Sequence, residues 1–313
     1  MKYAAKKTLT LIITLFIVSL LAFLAFQIIP GDPTTKMLGT EATPEAIAAL
    51  RAELGLDRPV LVRYFNWLTD FLTGDMGISY SYRMPVADML SDKLPITFLL
   101  TILSFLLTVV LSIPLGILAG SVRGKAADTL ITAFNQVVMS IPSFFIGILA
   151  CFLFGNLFKL FTPGDFVSYT ESWSACLRYL LFPALSIAIP RIAMTVKMLR
   201  GSIQSELGQD YVRTARSRGN RHSAILTRHV LKNALIPVIT FLAVSAAEIM
   251  TGSIIIEQVF TIPGVGRLLL ASISNRDFPV VQAIVVILAA WIVIVNFAAD
   301  LLYQLADPRI RLR

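Results

Sequence analysis

Long apolar stretches separated by short polar segments run through most of the chain. Six of them are almost free of charged residues and have at least the length, about 20 residues, that a helix needs to cross a bilayer. They are Thr8–Ile29, Leu94–Val122, Thr129–Phe158, Tyr179–Leu199, Asn233–Phe260 and Phe278–Ala299. This pattern predicts an all-α integral membrane protein with six transmembrane helices.

The first apolar stretch follows three lysines, Lys2, Lys6 and Lys7. A signal peptide begins in the same way, but its apolar core is shorter and ends at a small-residue cleavage site. We therefore expect residues 1–29 to form a retained transmembrane helix, and a cleaved signal peptide is the alternative.

Two polar segments are long enough to fold outside the membrane. The first, residues 30–93, contains a predicted helix that is capped by Thr43, begins at Pro44 and ends at Gly55. A second predicted helix, Val60–Leu72, carries aromatic residues of the kind found at membrane interfaces. Two interpretations remain open: a small subdomain packed on helix ends, or a docking surface for an extracytoplasmic partner.

Composition supports the membrane class and gives an orientation. The chain is 56% hydrophobic and 15% charged, with a mean hydropathy of +0.77, whereas soluble domains have about 25% charged residues. The net charge is +8, and in a membrane protein short basic loops mark the cytoplasmic side. We therefore place residues 200–232 and both termini inside the cell and residues 30–93 outside, and we expect no nucleic-acid partner.

The second polar segment, residues 200–232, contains a predicted short helix. Asp210 is predicted to cap it, the helix to span Tyr211–Arg218, and Gly219 to end it. Helical spacing divides its side chains into an apolar and a basic face. The apolar face has Tyr211, Val212 and Ala215, and the basic face has Arg213 and Arg216. The positive-inside rule explains the charge but not the capped, glycine-terminated helix.

Two charged residues lie deep within predicted spans, where a charge costs roughly 2.5–3.5 kcal/mol and usually serves function. Arg191 is in the fourth span, and Glu248 is about midway along the fifth. Either the two form an ion pair, or Glu248 faces a water-filled cavity on the pathway. If they pair, we expect Asn or Gln at either position to lower stability or assembly.

Small residues and prolines within the spans indicate a packed, pathway-lining bundle. Gly116 and Gly120 have the small-xxx-small spacing that lets two helices approach closely. Pro114, Pro142 and Pro190 interrupt three spans, and such breaks are tolerated where neighbouring groups or water satisfy the freed carbonyls.

The sequence lacks the motifs of ATP binding, metal binding and nucleophilic catalysis. It has no P-loop, no H-E-x-x-H and no G-x-S-x-G. His222 and His229 have no cysteine nearby, and we expect Cys151 and Cys176 to be free thiols. We therefore predict no catalytic residue, no metal site and no cofactor bound by this chain.

Short motifs occur in a fixed order along nearly the whole chain. They are Pro30–Pro33, Leu54–Pro59, Gly74–Ser79, Thr214–Gly219, Arg228–Ala234, Ile254–Glu257, Pro263–Gly266 and Asp307–Arg309. In this order they resemble the B-type membrane subunit of bacterial ABC importers for dipeptides, oligopeptides and nickel chelates.

The resemblance implies a type I ABC importer permease, multi-pass in the bacterial inner membrane, with both termini in the cytoplasm. Its implied parts are an N-terminal transmembrane helix (1–29), an extracytoplasmic subdomain (30–93), a core permease domain (94–305) and a cytoplasmic tail (306–313). The resemblance also identifies the short helix as a coupling helix that contacts an ATPase. The implied contact residues are Asp210, Tyr211, Val212, Arg213, Thr214, Ala215, Arg216, Arg218 and Gly219.

The resemblance further implies a set of partners. These are a second homologous permease subunit, two ABC ATPase subunits that use ATP and Mg²⁺, an extracytoplasmic substrate-binding protein, and membrane lipid. Tyr211, Val212 and Ala215 would form the buried anchor of the ATPase contact, and arginines would steer association. Peptides are the expected substrate, and nickel or opine-type metal chelates are the alternative for the same architecture.

The sequence departs from the general coupling pattern of importer permeases, and two rival functions have to be compared with it. Of the general coupling pattern E-A-A-x-x-x-G, only Ala215 and Gly219 agree, a departure that the peptide and nickel branch shares. A stand-alone secondary carrier would need internal repeats and midplane ion ligands, and we find no repeat. A membrane enzyme would need a nucleophile–base or metal set, which the sequence lacks.

Overall fold

The computed structural model describes residues 2–28, 34, 38, 43–53, 55–122 and 126–306. In these ranges the regular secondary structure is helical, and one isolated antiparallel bridge joins Ile78 to Pro85. Predicted features at residues 30–33, 54, 123–125 and 307–313 lie outside the described residues. The described part of the chain therefore confirms the all-α prediction.

The helices are named in chain order. They are α1 (Lys2–Ile28), α2 (Pro44–Glu53), α3 (Val60–Thr73), α4 (Val86–Ser91), α5 (Lys93–Ser121), α6 (Ala126–Ser140), α7 (Ser143–Ala150), α8 (Trp173–Glu206), α9 (Asp210–Ser217), α10 (His222–Ile225), α11 (Leu231–Val259), α12 (Val265–Ser274) and α13 (Phe278–Ala306). Two π-helical stretches continue α7 and α10. They are Cys151–Leu157 and Leu226–Val230.

Five helical stretches among the described residues are long and apolar enough to cross a membrane. They are Lys6–Ile28, Val86–Ser121, Trp173–Glu206, His222–Val259 and Phe278–Asp300. The third predicted span, Thr129–Phe158, is not one straight helix, because α6 and α7 meet at a bend of 92°. Pro142 causes the break, since it has no amide hydrogen to donate and lies in extended backbone between the two helices. Pro114 and Pro190, by contrast, lie inside continuous helices.

The described residues form two compact units. One comprises those of Met1–Ile96 and Pro263–Ile294, and the other those of Thr97–Ile262 and Val295–Arg313. The division into segments at residues 29, 93 and 305 follows membrane topology rather than compactness, and it stays a prediction.

In the first unit, the segment between the first two spans has the predicted helices. The Thr43 hydroxyl accepts a hydrogen bond from the Ala46 amide at 3.3 Å, which confirms the predicted cap of α2. Helix α3 packs on α1 through Tyr64, which is 1% exposed. Its ring meets Phe23 edge-on at 5.5 Å, and its hydroxyl lies 2.8 Å from the Ser19 hydroxyl. This contact places α3 against the side of α1, at residues inside the helix rather than at its end.

Also in the first unit, one buried carboxylate joins two distant parts of the sequence. Asp277, just before α13, is fully buried. It accepts hydrogen bonds from the Ser79 hydroxyl at 2.5 Å, the Tyr80 amide at 2.9 Å and the Ser81 amide at 3.2 Å. A buried carboxylate needs such donors to offset its lost hydration. Asp277 therefore fixes the loop that follows the Gly74–Ser79 motif.

In the second unit, α5 and α8 approach so closely that only glycine fits between them. A Cβ atom on Gly116 would lie 2.7 Å from Cδ2 of Leu199, and one on Gly120 would lie 2.9 Å from Cδ1 of Ile203. Both large side chains are fully buried. The predicted small-xxx-small contact is therefore confirmed, and its partner is α8.

Candidate functional site

The predicted short helix between the fourth and fifth spans is α9, Asp210–Ser217. It begins one residue earlier than predicted, and Gln209 rather than Asp210 precedes it in extended backbone. The prediction that Asp210 caps the helix is therefore wrong. Its exposed carboxylate instead lies 3.4 Å from the Arg213 guanidinium, one turn along the helix.

The predicted end of the helix is confirmed. Gly219 has φ = +77°, a conformation that favours glycine because other residues clash there. Its amide donates to the Arg216 carbonyl at 2.9 Å. The Asn220 side chain donates to the Ala215 carbonyl at 3.1 Å, which satisfies another group at the helix end.

The apolar face of α9 is turned into the chain's own core. Val212 is fully buried and Ala215 is 7% exposed. They pack in a cluster with side chains from α8, from the π-helical stretch Leu226–Val230 and from α11. The cluster includes Leu199, Ile203 and Val230. The predicted ATPase anchor is revised accordingly, because the surfaces of Val212 and Ala215 are already occupied within the chain.

A polar cluster ties α9 to the ends of both neighbouring long helices. The Tyr211 hydroxyl donates to the Glu206 carboxylate at 2.5 Å, at the end of α8. The Asn233 amide, near the start of α11, lies 3.5 Å from the same carboxylate and 3.4 Å from the Tyr211 hydroxyl. Partial burial and the hydrogen bond to Glu206 both raise the pKa of Tyr211, so its phenol stays protonated and can donate. No local sequence pattern indicates this role for Glu206 or Asn233.

The opposite face of α9 is solvent-exposed and basic. Its exposed side chains are Arg213, Thr214, Arg216 and Ser217, and Arg218 follows directly. The face that this chain offers to another molecule is therefore cationic, with the ring of Tyr211, 37% exposed, at its edge.

A second ion pair, which the sequence argument missed, joins α6 to α8 near the same end of α8. Arg200 donates from Nε at 2.9 Å and from Nη2 at 2.6 Å to one oxygen of Asp128. The side chains are 19% and 15% exposed. The sequence contains one signal for this pair. Asp128 and Arg200 carry opposite charges, and both adjoin the predicted cytoplasmic ends of their spans.

The two intramembrane charges meet in a cavity within the second unit. Arg191 of α8 donates to Glu248 of α11 in an ion pair. The same side chains line a cavity of about 300 Å³, together with Met139, Met194 and Gly252. The ion pair and the cavity, which the sequence left as alternatives, therefore occur together.

Glu257, another acid for which the sequence predicted no role, is fully buried in α11. Its carboxylate accepts a hydrogen bond from the Thr97 hydroxyl at 2.7 Å, within the second unit. Cys151 and Cys176 are free cysteines. Among the described residues, no three His, Cys, Asp or Glu side chains are grouped so that they could hold a metal ion.

Comparison with known proteins covers nearly the whole length of the chain. The model of the family described as "binding-protein-dependent transport system inner membrane component" matches residues 112–312, and that of the corresponding N-terminal family matches residues 1–101. A Brucella abortus (strain 2308) protein named as a peptide transport system permease is 36% identical over 306 residues, covering 98% of both chains. The glutathione transport system permease protein GsiC of Escherichia coli (strain K12) is 34% identical over 312 residues, covering 99% of both chains.

These matches confirm the resemblance seen in the sequence motifs. They agree with the apolar helices of the described residues, and they place the chain in the inner membrane as a transport permease component. Members of this family act together with other components of an ABC transporter, such as an ATPase and a binding protein. The chain belongs to the family of inner-membrane components of binding-protein-dependent transport systems.

Proposed function

We propose that this chain forms half of the pathway of an ATP-driven peptide importer and that α9 couples it to a separate ATPase. The observation that carries the proposal is that α9 packs against both α8 and α11 and leaves its other face exposed. Its inner face is buried against α8 and α11, and its outer face is exposed and basic. Such a helix transmits a displacement to two membrane helices at once.

The coupling roles divide between the two faces of α9. Val212 and Ala215 hold the helix to the core, and Tyr211 locks it to Glu206. Arg213, Thr214, Arg216 and Arg218 form the contact surface, with Asp210 pairing to Arg213 and Gly219 ending the helix. Exposed arginines at the rim of an interface mainly accelerate association with an acidic surface. The ATPase groove is therefore expected to be acidic.

The peptide substrate is proposed from relatives of full length. The Brucella protein is named for peptide transport and the E. coli protein for glutathione transport. Nickel or opine-type metal chelates are the alternative substrates, and an assay of uptake would distinguish them from peptides. They would use the same architecture with a different binding protein.

The proposed assembly contains this chain, a second homologous permease, two ATPase subunits and an extracytoplasmic binding protein, surrounded by membrane lipid. ATP and Mg²⁺ belong to the ATPase subunits. ATP drives transport only if it binds the two conformations of the assembly with different affinity. The binding protein delivers peptide to the outward-facing conformation.

Co-purification tests the assembly directly. The tagged chain is extracted gently from its native membrane, and the co-eluting proteins are identified. We expect a second permease and P-loop ATPases. A chain that elutes alone as a stable oligomer and moves solute without ATP would identify a stand-alone carrier and overturn the proposal.

Substitutions on the basic face test the coupling role of α9. Replacing Arg213 and Arg216 with Gln should slow ATPase association and weaken its dependence on salt. Arg221→Gln combined with Arg228→Gln is the matched control, because it removes two exposed arginine charges from the same segment outside α9. Equal effects of the control and of the α9 double variant would show that net charge, not the α9 surface, controls association.

A further inference from the structure

The cavity beside Arg191 and Glu248 combines a charged pair with apolar walls. Arg191 lies well inside α8, and Glu248 lies well inside α11. Met139 and Met194 line the cavity, and methionine side chains adapt to ligands of different shape. The cavity volume of about 300 Å³ is at the lower end of the range for small-molecule sites. Its dimensions suit a small ligand.

Glycine keeps this cavity open next to the acid. Gly252 follows Glu248 by one helical turn, so both side-chain positions lie on the same face of α11. A Cβ atom added at Gly252 would meet nothing within 4 Å. The position thus leaves space beside Glu248 that a larger residue would fill.

The pair is accessible from the cavity. The Arg191 side chain is 26% exposed and that of Glu248 is 53% exposed. Each charge in a membrane helix needs a countercharge, because an isolated one is costly in a medium of low dielectric constant. A ligand that supplies both a cation and an anion can therefore separate the pair and leave neither charge uncompensated.

We propose that Arg191 and Glu248 bind the charged termini of a zwitterionic peptide during its passage through the permease. The α-carboxylate contacts the Arg191 guanidinium, and the α-ammonium group contacts the Glu248 carboxylate. Each protein charge exchanges its partner for one on the peptide, so no charge is left uncompensated. This inference rests on the proposed function, since it specifies which feature of a peptide the pathway recognises.

Blocked peptides provide the test of charge recognition. The full importer is reconstituted in vesicles with its binding protein, and uptake and ATP hydrolysis are measured together. The substrates are a labelled dipeptide, its N-acetyl derivative and its C-terminal amide. Because the same binding protein delivers each peptide to every variant, its own preference cancels when a variant is compared with the wild-type chain.

The two charge variants should have distinct signatures. Glu248→Gln should lower uptake of the free dipeptide per ATP hydrolysed about tenfold or more, since hydrogen bonds to charged groups are worth about 1.5–3 kcal/mol. It should affect the N-acetyl peptide far less. Arg191→Gln should give the corresponding pattern with the amide. Asp128→Asn, which breaks an ion pair away from this cavity, is the control and should not change the ratio between peptides.

A steric variant keeps the test informative if the charge variants assemble poorly. Gly252→Leu should reduce peptide uptake per ATP at least tenfold while the binding protein still stimulates ATP hydrolysis. Gly201→Leu places the same side chain on another helical glycine with nothing within 4 Å, outside the cavity lining, and should retain uptake.

The outcomes separate this inference from the proposed function. Wild-type uptake per ATP for the free dipeptide in Glu248→Gln, or in Gly252→Leu, would overturn the role of the cavity while peptide import stands. An equal loss for free and blocked peptides in both charge variants would assign the pair a purely structural role. A wild-type importer that moves no peptide with ATP would instead overturn the proposed function.

Discussion

Replacing Gly116 with alanine tests the close contact between α5 and α8. The added Cβ would lie 2.7 Å from Cδ2 of Leu199 and 3.0 Å from its Cβ and Cγ. Carbon atoms in contact normally lie about 3.5–4.0 Å apart. Leu199 is fully buried and packs in the cluster that also holds Val212 of α9. The clash therefore has to be relieved by moving α5 or repacking that cluster.

The destabilisation by Gly116→Ala is measured against the same substitution at Gly201, a glycine on α8 that has no close neighbour. Overpacking a core costs about 1–3 kcal/mol, whereas glycine to alanine in a helix gains up to about 1 kcal/mol from helix propensity. Gly201→Ala should show only that gain, because a Cβ there meets nothing within 4 Å. The difference in unfolding free energy between the two variants therefore isolates the overpacking cost.

Thermal unfolding of the purified chain in detergent measures this difference. At about 2–4 °C per kcal/mol, Gly116→Ala should have a Tm at least about 2 °C below that of Gly201→Ala. Adding Leu199→Ala to each variant should show coupling only with Gly116, because those two positions are in contact. An equal rise in Tm for both alanine variants would refute the close approach of the helices.

Three further changes test other contacts. Asp277→Asn should destabilise the first unit by about 1–3 kcal/mol, because an asparagine amide has one acceptor oxygen where the carboxylate has two for the Ser79 hydroxyl and the Tyr80 and Ser81 amides. It should also accelerate proteolysis at residues 79–81, and unchanged cleavage would argue that Asp277 does not hold this loop. Gly219→Ala should lower the Tm through strain at positive φ, about 1–2 kcal/mol, whereas Gly219→Asn, which tolerates this conformation better, should lower it less. Asp128→Asn should lower the Tm because the Arg200 charge loses its partner, and a Tm within error of wild type would show that the pair contributes nothing.

The sequence predicted the elements that depend on local signals. Apolar length located the membrane helices, Thr43 located the start of α2, and Gly219 located the end of α9. At Thr129–Phe158 apolar length predicted one span, and the structure has there a pair of helices that meet at a bend of 92°. There the effect of Pro142 depends on whether neighbouring helices hold the chain straight, as they do around Pro190.

Side-chain roles that depend on tertiary contacts were harder to predict. The helical pattern identified Val212 and Ala215 as an apolar face, but a pattern does not say whether such a face packs inward or binds a partner. Similarly, Glu206 and Asn233 are separated by 27 residues, and nothing local indicates that Tyr211 joins them. The pair of Arg191 and Glu248 could be proposed because charges within a membrane are rare enough that each needs a partner.

The contacts of α9 provide a route from the ATPase side to the cavity. Helices α8 and α11 are joined at two levels, by Arg191 with Glu248 and by Glu206 with Asn233. On both helices these levels are fifteen residues apart, about 22 Å of α-helix. Tyr211 binds at the second level, so a displacement of α9 acts where the two helices meet. A shift that moves α8 and α11 as whole bodies at that end therefore also changes the separation of Arg191 from Glu248, and Pro237 lies between the two levels on α11. If an ATPase contacts α9 as proposed, its closure opens and closes the ion pair that faces the cavity.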